Sequence, residues 1–273
     1  MAADIRVGSS GSVPREFTVF DNAVYFQANN GNDGNRLWKY DGTTVSMVAN
    51  SGSSPAEMAV FDSALHYRAA GQAAWDLWKF DGTTAAATGA LPGLSNLSPT
   101  ALTVYNDELY FFARHGGVGQ ELHKFDGNTV SLVADITPGT GDYVNPEYDL
   151  YGMAVYNDTL FFMADDGVHG RELWAHDGTQ TALIADLIPG PDGGMGSTLD
   201  PAFVSFDGAL YFYAFVGESG GGPSQLFRIT GDGIPEPATL SVMAVLGLLL
   251  ARRRRRAPGE TVPCAPRRSP PAG

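Results

Sequence analysis

Leu37-Trp38-Lys39-Tyr40-Asp41-Gly42 decides the fold, because it comes back. It returns as Leu77-Trp78-Lys79-Phe80-Asp81-Gly82, as Leu122-His123-Lys124-Phe125-Asp126-Gly127 and as Leu173-Trp174-Ala175-His176-Asp177-Gly178. A worn fifth copy is Leu226-Phe227-Arg228-Ile229. A second signature precedes each one. It reads Phe17-Thr18-Val19-Phe20-Asp21-Asn22, and its later copies end at Phe61-Asp62-Ser63, Tyr105-Asn106-Asp107, Tyr156-Asn157-Asp158 and Phe206-Asp207-Gly208. From Phe20 to Phe206 the aromatics are spaced by 41, 44, 51 and 50 residues. Five copies at such a period point to a propeller or a solenoid.

Each copy reads as four short strands, a to d. In the first copy, strand a ends at Phe20 and strand b runs from Ala23 to Ala28. Strand c runs from Arg36 to Tyr40 and strand d from Thr44 to Ala49. Asp41-Gly42 suits a two-residue type I′ hairpin between c and d, since glycine accepts positive φ freely and aspartate at modest cost. The strands are rich in Phe, Tyr, Trp, Val and Thr, with no helical period between them. The reading is all-β, a propeller-like repeat of about five four-stranded antiparallel blades over residues 1–232. Ala3-Asp4-Ile5-Arg6-Val7-Gly8 resembles Ala134-Asp135-Ile136-Thr137-Pro138-Gly139 and Ala185-Asp186-Leu187-Ile188-Pro189-Gly190. That similarity predicts an N-terminal strand d that completes the fifth blade and closes a ring.

Composition agrees. The chain has 273 residues with 34 glycines, a single cysteine (Cys264) and a net charge of -13. One cysteine excludes a disulfide framework or a Cys-rich metal site. The charge is split, because Arg252 to Arg256, Arg267 and Arg268 all lie at the end. Without residues 235–273 the balance is -18, which repels polyanions, so no nucleic-acid partner is expected.

The Leu-Trp and Asp-Gly-Thr signature resembles the ELWxxDGT repeat family. Glu172-Leu173-Trp174-Ala175-His176-Asp177-Gly178-Thr179 fits it at every fixed position. Glu121-Leu122-His123 departs at the tryptophan, with Asn128 for the threonine, and the first two copies carry Arg36 and Asp76 in place of the glutamate. The resemblance covers roughly residues 1–230. It implies a bacterial surface or secreted propeller-like protein, and the family carries no common catalytic activity.

After the repeats the chemistry changes. Pro235-Glu236-Pro237 is followed by fourteen uncharged residues, Ala238 to Ala251, and then by Arg252, Arg253, Arg254, Arg255 and Arg256. As a helix at about 1.5 Å per residue, 238–251 is a marginal span of a core about 30 Å thick. The arginines hold the tail on the cytoplasmic side and leave the acidic body outside. This order resembles the PEP-CTERM protein-sorting domain over residues 233–256. The resemblance implies export by the general secretory machinery of a Gram-negative bacterium. It also implies recognition of Pro235, Glu236 and Pro237 by an exosortase, transient anchoring in the inner membrane, and a place at the cell surface or in an exopolysaccharide matrix. Residues 257–273 continue as a Pro- and Arg-rich extension that reads as disordered. Met1 to Ser12 hold no apolar signal-peptide stretch, so the export reading expects one upstream.

Candidate chemistry is sparse. Asp41, Asp81, Asp126 and Asp177 are isolated and fit turn formation, whereas a calcium loop needs several carboxylates. Asp165-Asp166-Gly167 is richer, and Asp165 and Asp166 are the candidates for a structural calcium; no other cofactor is expected. His115 and His169 fall in adjacent b–c loops, while His123 and His176 replace aromatics in the repeat. Trp38, Trp78 and Trp174 read as inter-blade core. Trp75 breaks the pattern and is the candidate for stacking on a sugar ring. There is no P-loop or dinucleotide fingerprint. The expectation is a non-enzymatic exported protein. The alternatives are a carbohydrate-binding or adhesive module and, less favoured, a glycan-active propeller using paired carboxylates.

Overall fold

Strand-forming residues alternate with turn residues throughout the body, and the structure, a computed structural model, follows that rhythm. It describes residues 4–71, 75–88, 97–115, 118–138, 152–190, 203–215 and 224–231. These belong to one compact unit, Met1–Pro235; Glu236–Gly273 forms a second unit outside the described residues. All the regular structure described is β.

The first sheet contains β1 (Arg15–Phe20), β2 (Ala23–Asn29), β3 (Asn35–Tyr40) and β4 (Val45–Met47). The second contains β5 (Ser53–Phe61), β6 (Ala64–Ala70), β7 (Trp75–Phe80) and β8 (Ala85–Ala87). The third contains β9 (Thr100–Tyr105), β10 (Glu108–His115), β11 (Val118–Phe125) and β12 (Val130–Ala134). The fourth contains β13 (Met153–Tyr156), β14 (Thr159–Asp165), β15 (Arg171–His176) and β16 (Thr181–Ala185). The fifth contains β17 (Phe203–Phe206), β18 (Ala209–Phe215) and β19 (Ser224–Ile229). Strands pair in chain order, all antiparallel, giving four sheets of four strands and one of three. The first strands of successive sheets, β1, β5, β9, β13 and β17, are neighbours in that order.

The core lies between sheets, and one contact repeats. Phe20 and Tyr25 of the first sheet meet Phe80 of the second, with ring centroids 5.5–6.5 Å apart. Phe61 and His66 meet Phe125 of the third. Tyr105 and Tyr110 meet His176 of the fourth. Ile229 of the fifth sheet is buried at the matching position. The residues that made the repeat legible are therefore the two halves of one interface. Each buried ring contributes on the order of 2 kcal/mol through its area.

Two sequence expectations are corrected. The type I′ turn lies between strands a and b, where both central residues take positive φ: 45° and 57° at Asp21-Asn22, 47° and 54° at Asn157-Asp158. A turn with both central residues in that region has a backbone twist that matches the right-handed twist of the strands it joins. The c–d link is a four-residue loop in which only the glycine is left-handed, with φ of 94–99° at Gly42, Gly82, Gly127 and Gly178. Its aspartate acts as a cap: Asp41 Oδ1 accepts the N–H groups of Thr43 and Thr44 at 2.9 and 2.8 Å. Asp81, Asp126 and Asp177 repeat this on their own loops. These bonds favour the carboxylate and lower all four pKa values, to about 2 at Asp177.

The second correction concerns the N-terminus. Asp4 to Pro14 form bends and no strand, and no fourth strand joins β19 among the described residues. The resemblance to later copies is to a linker. β12 and β16 end at Ala134 and Ala185, so Asp4-Ile5 corresponds to the bends that follow a strand d.

That linker explains the glutamate of the signature. Glu121 and Glu172 are fully buried. Glu121 accepts the N–H groups of Ile136 and Thr137 at 2.5 and 3.2 Å, and Glu172 those of Leu187 and Ile188 at 2.9 and 3.1 Å. Each carboxylate pins the linker back onto strand c. Replacing Glu172 by Ala strands two donors, so stability should fall by about 2–4 kcal/mol in urea unfolding at pH 7. Glu172→Gln, which keeps one acceptor oxygen, should lose less; equal losses would refute the clasp.

Candidate functional site

The polar residues that a sequence reader would choose for chemistry are mostly used by the fold. Leu37, Leu77, Leu122 and Leu173 are buried in the sheets. The indole N–H groups of Trp38 and Trp78 donate to the carbonyls of Ala28 and Ala69 at 3.0 and 3.1 Å. Trp78 packs into the core between the first two sheets, and Trp38 and Trp174 are half-buried. His123 stacks on Phe111 with centroids 6.4 Å apart, and its Nδ1 lies 2.9 Å from the Glu121 carbonyl.

The acidic loop of the fourth sheet is likewise internally satisfied. Asp165 Oδ1 accepts the Gly167 N–H at 2.8 Å. Asp166 Oδ1 accepts from Val168 and His169, and its Oδ2 lies 2.7 Å from His169 Nδ1. That contact raises the His169 pKa. No group of three or more His, Cys, Asp or Glu able to hold a metal occurs among the described residues. The His115 side chain lies outside the described set, so the pairing with His169 is not seen. The sorting motif Pro235–Pro237, the apolar run 238–251 and Arg252–Arg256 also lie outside it. Among the described residues no helix is long and apolar enough to cross a membrane.

The structure does bring together a charged cluster that the sequence did not announce. It lies at the start of the first strands. Glu16 Oε2 accepts the Glu57 N–H at 3.1 Å, and Glu57 Oε2 accepts the Ala101 N–H at 2.9 Å. Glu16, Glu57 and Ala101 occupy equivalent positions, four residues before Phe20, Phe61 and Tyr105, and share a left-handed φ of 57–59°. At Glu57 and Ala101 the bulge turns the backbone N–H toward the preceding sheet, whose glutamate receives it. Burial raises the Glu57 pKa, while the Arg68 charge and the Ala101 hydrogen bond oppose it. Arg68 in turn lies over the Trp75 ring, 4.8 Å from its centroid. Glu57, Arg68 and Trp75 thus combine a carboxyl, a guanidinium and a half-buried indole on the second sheet. That set suits contact with a polar ring such as a sugar, through stacking and hydrogen bonds. Its sequence signs were Trp75, the candidate for stacking on a sugar ring, and the glutamate shared by copies one and two at the same offset.

No family model matches the sequence, and no curated protein matches it. Solved structures do resemble the fold. The chain is similar to a puromycin-hydrolyzing peptidase from Mycobacterium tuberculosis, with a TM-score of 0.55 and 12% identity over 82% of this chain and 38% of that one. It also matches the β-propeller domain of the Trilobed protease from Pyrococcus furiosus, described as having an open velcro topology, with a TM-score of 0.48 and 13% identity over 82% of this chain and 69% of that one. The acylaminoacyl peptidase of Pyrococcus horikoshii gives 0.48 at 12% identity, over 89% of this chain and 40% of that one. The chain spans about two fifths of the two peptidases. The first likeness shows the fold and nothing further: an all-β, propeller-like array of antiparallel sheets.

One buried histidine has a measurable consequence. His66 fills the slot of Tyr25, Tyr110 and Phe161 and is 1% exposed, and neither ring nitrogen has a hydrogen-bond partner. Burial, reinforced by Lys79 and opposed by Asp62, holds its pKa down to about 4. The unfolded chain, with an ordinary histidine pKa, takes up the proton first. The stability due to neutral His66 is therefore complete above about pH 6.5 and is lost as the pH falls toward 4. The loss should amount to about 3 kcal/mol across that window in urea titrations. His66→Phe should flatten the limb between pH 6.5 and 4; an unchanged slope would contradict the assignment.

Proposed function

We propose that the chain is a non-enzymatic exported protein of a Gram-negative cell surface or extracellular matrix, anchored through its tail and processed by an exosortase. The observation that carries this is the order of chemistry along the sequence. An acidic strand-rich body is followed by Pro235-Glu236-Pro237, then by fourteen uncharged residues and five arginines. A short apolar segment closed by arginines favours a body outside and a tail inside. The repeat supports display rather than catalysis: its glutamates, aspartates and tryptophans are spent on linkers, loops and carbonyls.

A second reading, binding of matrix polysaccharide, is favoured by the Arg68–Trp75 pair beside Glu57. A hydrolase reading draws on the peptidase likeness. That protein's activity belongs to a chain of which this one spans 38%.

Expression behind an added N-terminal signal peptide, in cells with the secretory machinery and an exosortase, tests the first reading. The mature product should lack residues beyond the Pro235–Pro237 region by mass spectrometry, and Glu236→Ala should leave the tail attached. Uncleaved, cytoplasmic product from the unsubstituted chain would sink it. For the second reading, retention in polysaccharide affinity gels should drop several-fold in Trp75→Ala, on the scale of one lost stacking contact.

A further inference from the structure

Four inter-sheet interfaces follow one plan, and a fifth copy of that plan is present in two unjoined halves. In a joined interface, one sheet gives the aromatic ending its first strand, the ring three residues into its second strand, and the turn between them. The next sheet gives the residue ending its third strand and the glycine of its c–d loop. The turn lies over that glycine. A β-carbon at Gly82 would sit 3.7 Å from Asp21 Oδ2, one at Gly127 3.5 Å from Asp62 Oδ2, and one at Gly178 3.1 Å from Asn106 Nδ2. In the fourth interface the Asn157 side chain donates to the Gly231 carbonyl.

The fifth sheet carries the first half of this plan, in Phe206, Tyr211 and the Asp207-Gly208 turn. The first sheet carries the second half, in Tyr40 and Gly42. Neither half is engaged. Phe206 is 70% exposed, where its equivalents Phe20, Phe61 and Tyr105 are 9%, 7% and 3% exposed and Tyr156 is half-buried. Tyr40 is half-buried where Phe80 and Phe125 are buried, and a β-carbon at Gly42 would meet nothing within 4 Å among the described residues. The first strands show the same asymmetry. Val19 and Val204 of the end sheets are 70% and 60% exposed, against 39–41% for Val60, Val104 and Val155 of the inner three.

We propose that the free face of the fifth sheet closes on the free face of the first sheet of the same chain, forming a fifth interface of the same kind and a complete ring. Both halves carry the chemistry that the other four interfaces already use. A second copy does not fit the gap in this mode. Propellers hold about four to eight blades, so five sheets already occupy at least about five eighths of the circle. A second set of five cannot enter what remains. The two halves are also tethered, which gives each an effective concentration for the other near the millimolar range. Closure hides two apolar faces that would otherwise adhere to other molecules. This proposal is independent of the export reading.

The test uses the full chain with Cys264→Ser and a cysteine pair at Asp207→Cys and Gly42→Cys. The control pair is Asp62→Cys and Gly127→Cys, in an interface already formed and with the same glycine geometry. Under mild oxidation the new pair should lose its free thiols at unchanged molecular mass, as the control does. Free thiols in a chain whose control pair oxidises would overturn the proposal, and so would a disulfide joining two chains. Phe206→Ala supplies a second readout. A buried ring predicts a Tm lowered by about 5 °C or more, and an unchanged Tm would count against closure.

Discussion

Everything else in the body depends on the contact of three rings across neighbouring sheets. A four-stranded antiparallel sheet has two faces and cannot bury either alone. Here the aromatic that ends one first strand, the ring on the second strand and the residue that ends the next sheet's third strand solve that problem together. Their fixed offsets impose the rest of the signature. The first aromatic must be followed by two residues that accept positive φ, because the chain reverses there within two positions. The third-strand aromatic must be followed by Asp-Gly. The aspartate caps its own loop, and the glycine leaves room for the preceding sheet's turn to lie on it. A repeat that looks like a string of separate motifs is one interface written over and over, each copy supplying half of two successive contacts.

The buried glutamates show the same economy in polar form. A carboxylate taken out of water costs several kcal/mol unless its oxygens are bonded. Glu121 and Glu172 meet that condition with two linker N–H groups each, groups that would themselves be orphaned at the end of a strand. Desolvation still raises the Glu121 pKa against those bonds. The first sheet solves the same linker with opposite polarity. Arg36 Nη1 donates to the Gly52 carbonyl at 3.3 Å, and Ser51 Oγ accepts the Leu37 N–H at 3.4 Å. The slot therefore demands a polar partner for a linker, and the sign of that partner follows the linker's own conformation.

The sheets were legible because their determinants are local and repeated. Strand ends at Phe20 and Tyr40 and the order of pairing follow from alternation and turn residues alone. The turn chemistry was misplaced for a physical reason. Asp-Gly is compatible both with a two-residue reversal and with a capped four-residue loop, and only the register Tyr40↔Val45 separates them. The glutamate clasp was hidden because its acceptors and donors lie some fifteen residues apart. Even so, Glu121 and Glu172 occur only in the copies that also carry Asp135-Ile136 and Asp186-Leu187. The Glu16–Glu57–Ala101 chain and the Arg68–Trp75 contact join residues from different strands, so no single-strand pattern could announce them.

The division of labour within each copy locates where specificity can arise. Residues that recur at fixed offsets are held by the interface, and changing them costs stability before it changes recognition. His66, His123 and His176 illustrate this: each sits in an aromatic slot and serves as a ring among rings. What does not recur is free to vary, and the spacing shows where it lies. The period grows from 41 to about 50 residues, while the stretch from the end of strand a to the end of strand c stays at 19–20 residues in the first four copies. The added residues fall after strand d, in 88–99, 135–152 and 186–202, the segments that lead to β9, β13 and β17. The repeated interface fixes the strands, and the connections after strand d absorb the change in length, so variation in those connections leaves the ring contacts between sheets untouched.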